Sequence, residues 1–267
     1  MTTRELYDIT NAIAPKGLSD EYCQKYGAYD NSGILIDSGE PIDKVVFSLD
    51  LSGGAVQRAL REKANAIVTH HPAIYGSISA IRVDDGLGEK IVTCIKNGIS
   101  VIAMHLNLDG VNGGIDESLQ DAILVATNTQ TKPNTQIMHP LSQGGYGRAY
   151  DVHATALKTF CKDLGKTLGS ERTLFYGDGE KKIKRVASFC GAGVDDETIA
   201  FAKAQGADVI VSSDYKHHFI ARALGMGLAV VVLTHYSAEQ YGFKKFYEKV
   251  SRQTDVTCDY HVDEVLL

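Results

Sequence analysis

Cysteine is scarce and unpaired in this chain. The five among 267 residues (Cys23, Cys94, Cys161, Cys190, Cys258) are odd in number, widely spaced and form no CxxC. That excludes a disulfide framework and a thiolate zinc ribbon, and it fits reduced, buried thiols in the cytoplasm. Long apolar runs are missing too: no stretch approaches the roughly 20 residues that a membrane span needs. Residues 1–13 alternate polar and apolar at helical spacing without a cleavage signature, so they read as a first helix and not as a signal peptide. Positive charge is not in excess. A net charge of −6 and a pI near 5.8 argue against general affinity for nucleic acid or anionic membranes. P-loop, GxSxG and GxGxxG patterns are absent; Gly191-Ala192-Gly193 is too short for a dinucleotide fingerprint and reads as a tight turn. The cysteines carry no catalytic-dyad signature.

What is present is ordinary globular material. Hydrophobic residues make up 44% and charged ones 22%, enough at this length for one large core or two modest ones. Residues 45–49 read as a strand, 53–64 as a helix, 66–69 as a strand, 86–97 as a helix stopped by Gly98, and 99–104 as a strand. This βαβ order predicts an α/β fold with short apolar strands. The second half repeats the first. At an offset of 143, Val56 falls on Ile199, Ala59 on Ala202 and Ile67-Val68 on Ile210-Val211. Val101-Ile102-Ala103-Met104-His105 then matches Val231-Val232-Leu233-Thr234-His235 at an offset of 130. The expectation is two similar, intertwined α/β domains with mixed sheets, produced by internal duplication. Residues 1–126 form the first half, residues 127–146 a loop-rich connection, and residues 147–267 the second half.

Chemistry concentrates where apolar runs end. His70-His71 follow Ala66-Ile67-Val68, His105 and Asp109 follow Val101-Ile102-Ala103-Met104, and His235 and Glu239 follow Val230-Val231-Val232-Leu233. Imidazole and carboxylate donors without thiolate suit zinc, iron, manganese or nickel alike. Five or six such donors exceed one tetrahedral shell, which points to two divalent ions per chain. Adjacent strand residues face opposite ways, but Pro72 ends the strand and frees His70 and His71 to serve neighbouring ions. A carboxylate such as Asp109 has two oxygens with which to bridge them. His235 and Glu239 stand at i and i+4, one face of a helical turn. Asp116 is placed to cap the helix that follows it. His105 reads as a ligand, or as a group behind the ligands or against substrate. Asp214 in Ser213-Asp214-Tyr215-Lys216-His217-His218 aligns with His71, so the duplicate has lost or changed a metal role. His105 and His218 are the candidates for acid–base work.

Together, Tyr29-Asp30-Asn31-Ser32-Gly33-Ile34-Leu35, Thr69-His70-His71-Pro72, His105-Leu106-Asn107-Leu108-Asp109 with Gly113-Gly114, and His235-Tyr236-Ser237-Ala238-Glu239 resemble the NIF-three-like dinuclear-metal proteins. Many of these are labelled GTP cyclohydrolase I type 2 homologues, and the resemblance runs in order along nearly the whole chain. It implies a dinuclear site on His70, His71, Asp109, His235 and Glu239, within a toroidal homohexamer whose metal centres face an internal cavity. It also implies a metal-dependent hydrolase acting on a small molecule, with GTP ring opening as the labelled reaction. Two positions depart from the pattern: Tyr29 stands where relatives often carry Trp, and a common Gly is missing around Ile36-Asp37. The 127–143 connection leaves no room for the domain that some relatives insert. A non-catalytic metal-binding, regulatory or assembly protein is the alternative that the sequence leaves open.

Overall fold

The computed structural model describes residues 1–267 and divides into two compact units. The first comprises Met1–Val111 with Phe243–Glu264, the second Asn112–Gly242 with Val265–Leu267. The chain therefore leaves the first unit and returns to it. The division falls after Val111, and the chain re-enters the first unit at Phe243.

In the first unit, α1 (Thr3–Ile13) begins with a capping box in which Thr2 and Glu5 satisfy each other's backbone amides. After α2 (Lys16–Tyr26) come β1 (Gly33–Ile36), β2 (Lys44–Ser48), α3 (Gly53–Glu62), β3 (Ala66–Thr69), α4 (Gly86–Lys96), β4 (Ser100–Ala103) and α5 (Leu106–Gly110). The Ser52 hydroxyl accepts the Ala55 amide at the start of α3, and the Asp85 carboxylate accepts that of Gly88 at the start of α4. Gly98, at φ 64, turns the chain after α4 into β4.

Each residue of β3 and β4 is buried, as expected of parallel strands covered on both faces. Val46, Ile67 and Val101 pack beneath α3 and α4 with Val56, Ala59, Ile91 and Cys94. The sheet order is β1-β4-β3-β2-β11, where β11 (Thr257–Tyr260) pairs parallel with β2 and β1 runs antiparallel to β4.

The second unit holds α6 (Ile115–Ala126), β5 (Gln136–Pro140), β6 (Gly145–Ala156), α7 (Leu157–Leu168), β7 (Leu174–Tyr176), β8 (Lys182–Ser188), α8 (Asp196–Ala204), β9 (Val209–Ser213), α9 (His217–Gly225) and β10 (Ala229–Leu233). Within the 127–146 stretch, β5 pairs with β6 as a hairpin turned through residues 141–144. The sheet order is β5-β6-β8-β9-β10-β7. Ala149, Ala187, Ile210 and Val230 share one face with Ile199 of α8 and Ala223 of α9. Helix α10 (His235–Ser251) belongs to the second unit up to Gly242 and to the first from Phe243 onward.

The duplication shows as a common four-strand order, β1-β4-β3-β2 in one unit and β7-β10-β9-β8 in the other, with the first strand of each antiparallel to the rest. Register refines the sequence alignment. Ile67 pairs with Val46 and Val101, and Ile210 with Ala187 and Val230. With Ile67 set on Ile210, Val46 falls on Ala187 and Val101 on Val230. These lie two residues and one residue earlier than the sequence offsets place them, because the connections between strands differ in length. The equivalent of His105 is thus Thr234 and not His235. A one-residue slip exchanges the faces of a strand, so the two histidines leave their sheets differently.

Candidate metal centre

In the first unit, β3 stops at Thr69. The backbone amides of both His70 and His71 donate to the carbonyl of Leu49, at 3.1 and 3.0 Å. Two consecutive amides sharing one acceptor break the alternation of a strand, so both imidazoles turn the same way, with ring centroids 4.7 Å apart. His105 leaves β4 and lies 5.1 Å from the His70 ring and 5.9 Å from that of His71. One nitrogen from each of the three falls within 4.8 Å of the others. Asp109 sits on α5, buried, with Oδ1 at 3.5 Å from His70 Nε2. Two ligands about 2.1 Å from one tetrahedral ion stand about 3.4 Å apart, so this spacing matches what two donors to one ion would need.

The second unit holds a similar pair. On α10, His235 Nε2 lies 3.1 Å from Glu239 Oε2, and Glu239 is buried. Gly191, at φ 60, faces it: a Cβ there would lie 2.5 Å from Glu239 Oε1. The turn at Gly191-Ala192-Gly193 is therefore part of the carboxylate's housing, and only glycine leaves the room.

The orientation of the imidazoles decides what they can do. His70 Nδ1 lies 2.8 Å from the carbonyl of Met104, and His71 Nδ1 lies 2.7 Å from Asp50 Oδ1. His105 Nδ1 is 2.8 Å from Asp30 Oδ1, and His235 Nδ1 is 2.6 Å from Asp214 Oδ2. In all four, Nδ1 faces an oxygen acceptor, which orients the ring and makes Nε2 the nitrogen turned toward the neighbouring donors. A histidine poised to bind metal is held in this way. Asp30 is the most constrained of these acceptors. Burial opposes its ionisation, but hydrogen bonds from the His105 imidazole and the Ser19 and Ser32 hydroxyls outweigh it and hold the carboxyl well below the usual range.

Sequence reasoning missed Asp50 and Asp30 as partners, and the fate of Asp214 is now visible. Asp214, the counterpart of His71, is an outer acceptor for His235. Asp116 does not cap its helix: Gly114 holds the cap position. Asp116 is instead fully buried, where its Oδ2 accepts Arg148 Nε at 2.8 Å and the Gly147 amide at 3.1 Å, while Oδ1 accepts the Cys190 amide at 3.3 Å. A buried guanidinium and two backbone amides recruit the carboxylate away from its own helix start. His217 and His218 lie exposed on α9, the latter against the ring of Phe219, and neither joins a group of converging donors.

The sequence model of the family described as Duf34/NIF3 (NGG1p interacting factor 3) matches residues 1–265. The chain belongs to the Duf34/NIF3 family. A similar protein from Clostridium perfringens, named GTP cyclohydrolase 1 type 2 homolog, is 29% identical over 99% of this chain and 97% of its own length. A Methanocaldococcus jannaschii relative of the same name is 26% identical over 96% of this chain and 97% of its own. Among solved structures, Staphylococcus aureus protein SA1388 superposes with a TM-score of 0.82 at 24% identity, covering 98% of this chain and 96% of its own. Reduced HcgD from M. jannaschii gives 0.78 at 25% identity, covering 97% of both chains. The NIF3 fold is thereby shared along the whole chain, and its His, Asp and Glu groups have the donor chemistry of a metal site. No helix is long and apolar enough to cross a membrane.

Proposed function

We propose that His70, His71, Asp109, His235 and Glu239 together hold two divalent ions, and that the protein is a metal-dependent hydrolase. The observation that carries this reading is that His70, His71 and His235 each engage Nδ1 with an oxygen acceptor, which leaves Nε2 as the nitrogen for ligation. Joining the two donor groups in one centre follows the family resemblance, whose motifs include both, and within the second unit His235 and Glu239 stand four apart on one face of α10.

Divalent ions at such a centre supply Lewis-acid chemistry for hydrolysis. The chain's own parts have separate tasks. Asp109 and Glu239, both buried, bring the negative charge that cations require. His105, backed by ionised Asp30, presents an Nε2 able to accept a proton. A nucleotide is the first substrate class to test, because the curated relatives carry the name GTP cyclohydrolase 1 type 2 homolog. Five free cysteines support a cytoplasmic location, and the family resemblance carries a homohexameric ring into the reading.

The test is turnover of GTP and a panel of phosphoesters by metal-loaded protein. Activity should vanish on chelation, return on re-addition, and be lost in Glu239→Gln with the fold intact. Turnover that survives both chelation and Glu239→Gln contradicts the reading. Saturated protein that turns over nothing in the panel makes the non-catalytic, regulatory role the better account.

A further inference from the structure

We propose that Tyr29 and Tyr75 form a stacking platform for the planar ring of a nucleobase-bearing ligand beside the first unit's histidines. The hydrolase reading supplies the reason for a ligand there; the platform itself stands on separate observations. Tyr29 and Tyr75 are 55% and 49% exposed, more than Phe175 and Tyr176 at 38% and 40%, whereas Phe47, Tyr150, Phe160, Phe189, Phe243 and Phe246 are all buried. Two adjacent exposed aromatic rings leave apolar faces in water, a cost that a bound ring removes.

The pair is also fixed. The Tyr75 hydroxyl donates to the Tyr29 carbonyl at 2.8 Å, and Asn31 Nδ2 donates to the Ile74 carbonyl at 2.6 Å, tying the two loops together. The rings meet edge to face, with centroids 5.2 Å apart at 86°. Pre-ordered aromatics bind without a further cost in side-chain freedom. Their position is the third observation. The Tyr75 ring stands 6.1 Å from His105 at 89°, and His105 in turn is 5.1 Å from His70. A ring laid on this corner lies next to the imidazole that the proposed chemistry uses.

The experiment compares guanosine 5′-monophosphate with ribose 5-phosphate, which lacks the base, on zinc-loaded protein by calorimetry. The nucleotide should bind at least tenfold tighter. Tyr29→Ala and Tyr75→Ala should each weaken it about tenfold while leaving ribose 5-phosphate affinity and zinc content unchanged. Tyr75→Phe, which keeps the ring, should retain most of the binding. Upfield ring-current shifts of the base protons at saturation should shrink in both Tyr29→Ala and Tyr75→Ala. Equal affinity for the two probes, no binding of either, or equal losses for both in the Ala variants overturns the platform. A change of assembly mass in Tyr29→Ala without a change in nucleotide affinity also overturns it, in favour of a protein interface. Zinc content read on the same samples separates the two proposals: base-dependent binding without zinc sinks the hydrolase reading alone.

Discussion

Replacing Asp50 by Ala should weaken metal binding without unfolding the protein. Asp50 accepts His71 Nδ1 at 2.7 Å, and the side chains of His71 and Asp50 are 24% and 37% exposed. Losing an outer acceptor of a ligating histidine costs about 10–100-fold in metal affinity. Water reaches this half-exposed pair and takes over part of the acceptor's role, so the expected loss is about tenfold, or about 1.4 kcal/mol. Asp50→Asn should be no better. Its amide is able to turn its NH2 toward Nδ1, which drives the proton to Nε2, the atom needed for the ion. The assay is zinc affinity by competition with a chromophoric chelator, beside the melting temperature of the metal-free protein. That temperature should shift by no more than about 2 °C, since a partly exposed surface substitution costs within about 0.5 kcal/mol. Zinc affinity of Asp50→Ala within twofold of the native value would refute the claim that Asp50 sets His71 for a metal.

Asp30 makes stability depend on pH. Because its folded carboxyl is held below the usual value, its contribution is fully present above about pH 4 and is lost as pH falls toward its folded value. Chelated Asp30→Asn should therefore show a flatter acid-unfolding curve below about pH 4 than the native chain; curves of equal steepness would count against it. Asp116→Ala strands the buried Arg148 guanidinium and should cost about 3–5 kcal/mol, or about 6–20 °C in melting temperature. Adding Arg148→Met should recover much of that loss, and calorimetry reads both. Light scattering should report a mass near six chains of 28.9 kDa; a monomer at micromolar concentration speaks against the ring.

Much of the fold was legible because the central parallel strands are apolar runs closed by a turn or a candidate ligand. Residues 66–69 are the same in reading and structure, and α4 ends before Gly98 as its position implied. The metal candidates were legible for the same reason: histidine at the end of a buried parallel strand is costly unless it is used. What stayed hidden was long range. Asp50 and His71 are 21 residues apart, Asp30 and His105 75 apart, and nothing local distinguishes these aspartates from turn formers. Asp116 has the look of a helix-start acid; Arg148 and the Gly147 and Cys190 amides, distant in sequence, give it another role. Strand register was misjudged by one and two residues because hydrophobic runs of Val and Ile align equally well at neighbouring offsets, and only the ladder of backbone hydrogen bonds chooses among them.

The most direct test of the central claim is metal content per chain. Protein dialysed to equilibrium with excess zinc, then freed of loose ions, should carry two ions per chain by elemental analysis. Asp109→Asn and Glu239→Gln should each carry fewer. Native protein that saturates at one ion per chain or none contradicts the dinuclear centre.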